Sequence, residues 1–363
     1  MKVCLLSVFR FELVIHKYWY LLGARFLFLS WLVVGGAFYG FSLPVNASAH
    51  DLNLASASML KSIKHKPVLE NTDKAIRIVT NNWTSQIVLS HIVGSIFSSM
   101  GYQVEYIPTD TDKQWGALTH GAAHVQVEVW EGTMSKMFNR LLKQKGIIDA
   151  GTHSATTREE WWYPAYVEEV CPGLPDWKAL KNCASMFATA DSSGKGVYFA
   201  GPWEKPDEAR IRALGLNFKV KVLPKGDDLW IELKKAAAKK RPIVLFNWSP
   251  NWVESVYKGK FIEFPSYAPE CEKDPSWGIN KQFLHDCGNP KGGWLKKAAW
   301  SGMQRTWPCA FKTLQQVNFN NEQIAMASKR VDIDHLSYQE AAKQWMANNT
   351  AIWNSWIPVE CKQ

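Results

Sequence analysis

Residues 74–108 read KAIRIVTNNWTSQIVLSHIVGSIFSSMGYQVEYIP, and this stretch decides the fold class. Lys74-Ala-Ile-Arg-Ile-Val-Thr80 alternates and is rich in β-branched residues, the pattern of a strand with two unlike faces. From Gln86 to Met100 the apolar residues recur at helical spacing. The run stops at Gly101, a residue free to adopt the left-handed conformation that ends a helix. Tyr102 to Ile107 is a second strand. Working outward, Lys113 to His120 reads as a short helix before Gly121. Val125 to Val129 sets Val125, Val127 and Val129 against Gln126 and Glu128 as a third strand. Strand, helix, strand, helix, strand is the opening of an α/β domain with a mostly parallel sheet.

A similar pattern restarts downstream. Gly196 to Ala200, Phe218 to Val222 and Pro242 to Phe246 read as strands. Asp207 to Leu214, which ends at Gly215, and Leu229 to Lys240 read as the helices between them. Helical spacing returns from Phe311 to Ser328 and from Ser337 to Asn354. No short repeat is present, which excludes a solenoid. Two α/β units in 363 residues predict two domains, or one domain of two lobes.

Composition narrows the function classes. With 47% hydrophobic and 21% charged residues the chain can bury a large core, which excludes disorder over most of its length. Only one apolar run approaches spanning length, which excludes a polytopic membrane protein. That run, Phe26 to Leu43, follows Lys2, Arg10, Lys17 and Arg25 and precedes Asn46-Ala47-Ser48-Ala49. Basic flank, apolar stretch and small-residue exit predict a signal peptide over residues 1–49, cleaved after Ala49, with retention as an anchor the alternative. Residues 50–73 are polar and irregular and read as a loose arm. The formal charge of +9 is spread along the chain. The one basic cluster, Lys234 to Arg241, reads as a solvated helix end. No aromatics interleave it, so nucleic acid is not an expected partner.

Six of the seven cysteines lie beyond the signal segment. An even number in an exported chain implies disulfides. Local pairing is the simplest of fifteen arrangements: Cys171–Cys183, Cys271–Cys287 and Cys309–Cys361, the first two each worth about 3 kcal/mol by loop closure. No pair has zinc-ligand spacing, and neither a metal nor a cofactor is expected.

The chain holds 19 Trp, far above ordinary usage. Trp83 follows the first predicted strand and Trp130 the third. Trp203 follows Val197–Ala200, and Trp248 and Trp252 follow Ile243–Phe246. Ligands of open α/β sheets bind beyond the carboxyl ends of strands, so these residues can converge on one cleft. A methylated ammonium has no N–H to donate, but it carries a diffuse positive charge under an apolar skin. Stacking between Trp faces satisfies both properties, at about 0.5–2 kcal/mol per face. Trp161, Trp162, Trp177, Trp230, Trp345, Trp353 and Trp356 are expected to be core or lobe interface, and Trp252 to support Trp248.

The segments Asn82-Trp83-Thr84, Val125-Gln-Val-Glu-Val-Trp130, Gly201-Pro202-Trp203 and Phe246-Asn-Trp248-Ser-Pro250-Asn-Trp252 resemble the periplasmic substrate-binding proteins of ABC importers for glycine betaine, proline betaine, choline and trimethylamine N-oxide. The resemblance runs from about Lys74 to Trp356. It implies a type II periplasmic binding protein, with two α/β lobes joined by a double-strand hinge. Lobe I would comprise residues 74–161 and 296–356, lobe II residues 162–295, and residues 357–363 a tail. It also implies a ligand cage of Trp83, Trp130, Trp203 and Trp248, an ABC permease as partner, a periplasmic location, and action as a monomer without catalysis. Trp83 matches a cage residue of the choline-type branch. The chain departs from the betaine pattern at Glu131-Gly132-Thr133, where neutral residues are usual. A carboxylate there would repel betaine and suit choline or trimethylamine N-oxide. Glu131 is equally a helix first-turn acid favoured by the dipole, and Glu128, alternating with Trp130, is a second candidate.

Two other classes fit a Trp-lined cleft: an exported sugar-binding protein and a glycoside-active enzyme. No GxSxG or HExxH occurs, and His residues are scattered. The strand exits are poor in Asn, Asp and Arg apart from Asn247 and Asn251, which disfavours sugars.

Overall fold

The computed structural model describes residues 73–362. The expected signal peptide, with Cys4, and the arm up to residue 72 lie outside the described residues. The first predicted units form as β1 (Ile76–Thr80), α1 (Thr84–Ser99), β2 (Val104–Pro108), α2 (Gln114–Thr119), β3 (Val125–Trp130) and α3 (Glu131–Lys143). An 18-residue strand, β4 (Ile147–Pro164), follows. The second unit comprises β5 (Gly196–Ala200), α4 (Asp207–Leu214), β6 (Phe218–Val222), α5 (Gly226–Ala237) and β7 (Val244–Ser249). Short β8 (Gly259–Phe261) pairs with β4, and β9 (Lys291–Trp300) returns along it.

The nine strands make one sheet, eight of them in the order β2-β1-β3-β9-β4-β7-β5-β6 and β8 off this path beside β4. Within β2-β1-β3 and within β7-β5-β6 the pairing is parallel. Antiparallel β9 and β4 stand between these two triplets. The wiring 2-1-3 is repeated as 6-5-7, so the two predicted units do form the same local topology. β4 and β9 tie the triplets together. Neither was read from the sequence as a strand. β4 carries register shifts between Asp149 and Thr152, Thr152 and Thr156, and Thr157 and Arg158, so its residues keep no steady alternation.

The closing helices correct the sequence reading. The run expected from Phe311 to Ser328 is two helices, α6 (Pro308–Gln316) and α7 (Asn321–Asp332). The chain breaks at Val317–Asn320 because Asn320 caps α7, accepting from the Gln323 backbone N–H at 2.9 Å while Gln323 reaches back. The run from Ser337 likewise divides into α8 (Tyr338–Asn348) and a helix over Thr350–Trp356. The cysteines pair as Cys171–Cys183, Cys271–Cys287 and Cys309–Cys361. Trp161, Trp162, Trp177, Trp230, Trp345 and Trp356 are buried, and Trp353 is packed against the core.

Candidate functional site

The ends of β1, β3, β5 and β7 converge on a pocket walled by Trp83, Trp130, Thr133, Met134, Glu159, Trp203, Phe246 and Trp248, which encloses about 290 Å³ including its mouth. This lies at the small end of ligand sites. Trp83 and Trp130 come from one triplet of the sheet, Trp203 and Trp248 from the other. Trp203 stands edge-on to Trp83 at 6.2 Å and to Trp248 at 5.3 Å. Its indole N–H donates to Asn82 Oδ1 at 3.1 Å, bridging the two sides. Trp230 backs Trp248 at 5.1 Å, and Trp252 backs Trp230 at 5.5 Å. Trp252 is thus a supporting ring and not a wall.

The carboxylates occupy positions that sequence alone did not distinguish. Glu131 sits in the first turn of α3, and its Oε2 accepts the Trp294 backbone N–H at 2.9 Å, so it braces β9 and is not a pocket wall. Glu128 is wholly buried behind the cage. One of its oxygens, Oε2, accepts the Trp83 indole N–H at 2.7 Å, the Trp130 indole N–H at 3.0 Å and the Ser85 hydroxyl at 3.1 Å. Burial pushes this carboxyl up to about 7, against the pull of those hydrogen bonds.

Glu159, near the end of β4, is the carboxylate that lines the pocket. It is 4% exposed. Its Oε1 accepts from the Thr133 hydroxyl and, at 3.0 Å, from Lys205 Nζ. Its Oε2 is buried and accepts no hydrogen bond among the described residues. A Cβ at Gly132 would lie 2.5 Å from that oxygen, so a larger residue there would displace the Glu159 carboxylate. Lys205 also lies 4.9 Å from the centre of the Phe246 ring. Sequence reading missed Glu159, Thr133 and Met134. The available signal was Arg158-Glu159-Glu160-Trp161-Trp162-Tyr163, acids directly adjoining an aromatic run that is expected to be buried. The neighbour Glu160 is consumed by the fold, accepting from Arg210 at 2.7 Å and from the Asn289 backbone N–H at 2.8 Å.

These groups can hold a small head that is apolar at its surface, positive in charge, and able to share a proton with a carboxylate oxygen. Against known proteins, residues 74–348 match the model of the substrate-binding domain of ABC-type glycine betaine transport systems. The chain is 37% identical over 313 residues to a trimethylamine N-oxide-binding protein of Pelagibacter ubique, covering 83% of this chain and 97% of the relative. Among solved structures it is similar to the glycine betaine, L-proline-binding protein of Borrelia burgdorferi, with a TM-score of 0.63 at 18% identity over 80% of this chain and 98% of the other. It is also similar to a choline-binding protein in complex with choline, with a TM-score of 0.61 at 16% identity over 78% and 92%. The solved structures share the two-lobed fold.

Proposed function

The chain belongs to the family of substrate-binding domains of ABC-type glycine betaine transport systems, and from that premise we propose that it captures trimethylamine N-oxide outside the cytoplasm and delivers it to a membrane permease. The observation that carries the choice of ligand is that Glu159, whose buried Oε2 accepts no hydrogen bond among the described residues, is the carboxylate lining a pocket of four Trp rings. The three methyl groups share the positive charge of the nitrogen and pack against the rings. The N-oxide oxygen is a strong acceptor and so is Glu159, so contact between them requires one proton, taken up on binding. Betaine would bring a second carboxylate toward Glu159, whose own donors, Thr133 and Lys205, are already engaged. The 37% identical relative whose name carries this ligand supports the reading.

We further propose lobe I over residues 74–161 and 296–356, lobe II over residues 162–295, and β4 and β9 as the hinge. Rings from both sides of the cleft would then meet only on closure. The protein would act as a periplasmic monomer released from its signal segment. It would bind without turnover, in keeping with its match to a family of substrate-binding domains.

The test is calorimetry on the mature chain from His50 with trimethylamine N-oxide, choline, glycine betaine and an oligosaccharide, in two buffers of different ionisation enthalpy. The expected result is roughly micromolar binding of trimethylamine N-oxide with uptake of about one proton, weakened about 10- to 100-fold by Glu159→Gln. Choline carries its own hydroxyl proton and would bind without uptake. Betaine binding more tightly than the N-oxide, or an unaffected Glu159→Gln, would refute the assignment.

A further inference from the structure

Glu128 raises a question the pocket walls do not answer. It is 0% exposed, forms no ion pair among the described residues, and leaves Oε1 without a hydrogen bond. A buried carboxylate with no cationic partner is costly, and natural folds retain one only where something compensates it. Its surroundings are fixed. The Glu128 backbone N–H donates to Gln126 Oε1 at 3.0 Å. Gln126 in turn donates to Asn81 Oδ1 at 2.6 Å, and Gln86 donates to Gln126 at 2.9 Å. Beside this polar lattice at the root of β1, α1 and β3, Oε2 of the carboxylate accepts from the Ser85 hydroxyl and from the two indoles, and through the indoles it reaches the pocket.

We propose that Glu128 is a positioning residue that clamps Trp83 and Trp130 with a single oxygen and sets a negative charge behind both rings, so that the cage selects a cationic head. A carboxylate accepting an indole N–H pushes electron density into the ring, deepening the negative face that a trimethylammonium group meets. The missing compensating charge is that of the ligand. The inference rests on the methylamine reading of the pocket, and it assigns Glu128 a role distinct from Glu159, which would contact the ligand itself.

The experiment compares wild-type mature chain, Glu128→Gln and Glu128→Leu at about pH 9, above the value of about 7 to which burial pushes the Glu128 carboxyl, so that the wild-type carboxylate is ionised. The probe is tetramethylammonium, a cation with no oxygen for Glu159. Affinity is read by calorimetry, and the Trp83 and Trp130 indole N–H resonances by NMR, assigned with single Trp→Phe variants. Glutamine keeps an acceptor where Oε2 lies but removes the charge; leucine removes both. The expected result is that Glu128→Gln keeps both indole resonances hydrogen-bonded yet binds tetramethylammonium roughly tenfold more weakly, and that Glu128→Leu loses both the resonances and the binding. Glu128→Gln binding as tightly as wild type would overturn the charge role. Indole resonances unmoved in Glu128→Leu would overturn the clamp. A wild type that binds no methylamine would refute the pocket reading, and this inference with it, a failure separable from the other two.

Discussion

Gly226→Ala should weaken ligand binding while leaving the unliganded protein as stable as before, or more so. Gly226 opens α5 on one side of the cleft. A Cβ built there lies 2.9 Å from Trp203 Cη2, 3.1 Å from Trp203 Cζ2 and 3.2 Å from the Asn82 carbonyl oxygen across the cleft. The Trp203 ring has nowhere to go, held by Asn82 at 3.1 Å and packed on Trp248 at 5.3 Å and Phe246 at 5.5 Å. Overpacking of a well-filled site costs about 1–3 kcal/mol. Gly226 and Trp203 share the proposed lobe II, so if β4 and β9 act as a hinge the closed form alone adds the Asn82 carbonyl oxygen against the new Cβ and pins the Trp203 ring through its N–H. In the open form the ring can turn aside. The larger part of the cost then falls on the closed form, and Kd should rise roughly 5- to 150-fold. Alanine exceeds glycine in helix propensity by up to about 1 kcal/mol, which acts in the open form as well and raises Tm slightly if it acts at all. Calorimetry gives Kd and scanning calorimetry without ligand gives Tm. A Kd within about twofold of wild type, or a fall of several degrees in the unliganded Tm, would refute the reasoning.

Four further outcomes are expected. Trp130→Ala removes a cage face and one donor to Glu128, and titration should show affinity falling roughly 10- to 100-fold; Trp252→Ala leaves a void behind Trp230, and its loss of about 3–5 kcal/mol should appear in denaturant unfolding more than in Kd. Glu128 holds its proton up to about 7 in the folded chain against 4.5 for an ordinary glutamate, so the folded state binds more protons between those values. Its contribution to stability is therefore full below pH 4.5 and lost as pH rises through about 7, on the order of 3 kcal/mol, and urea midpoints of ligand-free Glu128→Gln should lack that part of the slope. Replacing Cys309 and Cys361 by serine opens a cross-link spanning 52 residues, which should cost about 4 kcal/mol of unfolding free energy with little change in Kd, since the pair lies outside the pocket walls.

The sequence by itself determined the features that depend on short-range pattern. β1-α1-β2 follows from alternation, helical spacing and the stop at Gly101, and the second unit from the same signals. Local disulfide pairing was only the simplest of fifteen arrangements in the sequence; the fold decided it, bringing together Cys171–Cys183, Cys271–Cys287 and, across 52 residues, Cys309–Cys361. The four Trp walls were legible because each lies at or just past the end of a strand, and strand ends of one sheet face one cleft. Tertiary structure decided what pattern could not. β4 and β9 hold no clean period, since β4 is buried by different neighbours along its length and its register shifts more than once. Which acid lines the pocket was decided by the same strand. Adjacent residues on a strand point to opposite faces, and a slip of one residue would exchange Glu159 and Glu160. Glu131, Glu128, Glu159 and Glu160 are equivalent as letters. Pairing across the sheet turned the first to β9, put the second behind the rings, the third in the pocket, and the fourth against Arg210.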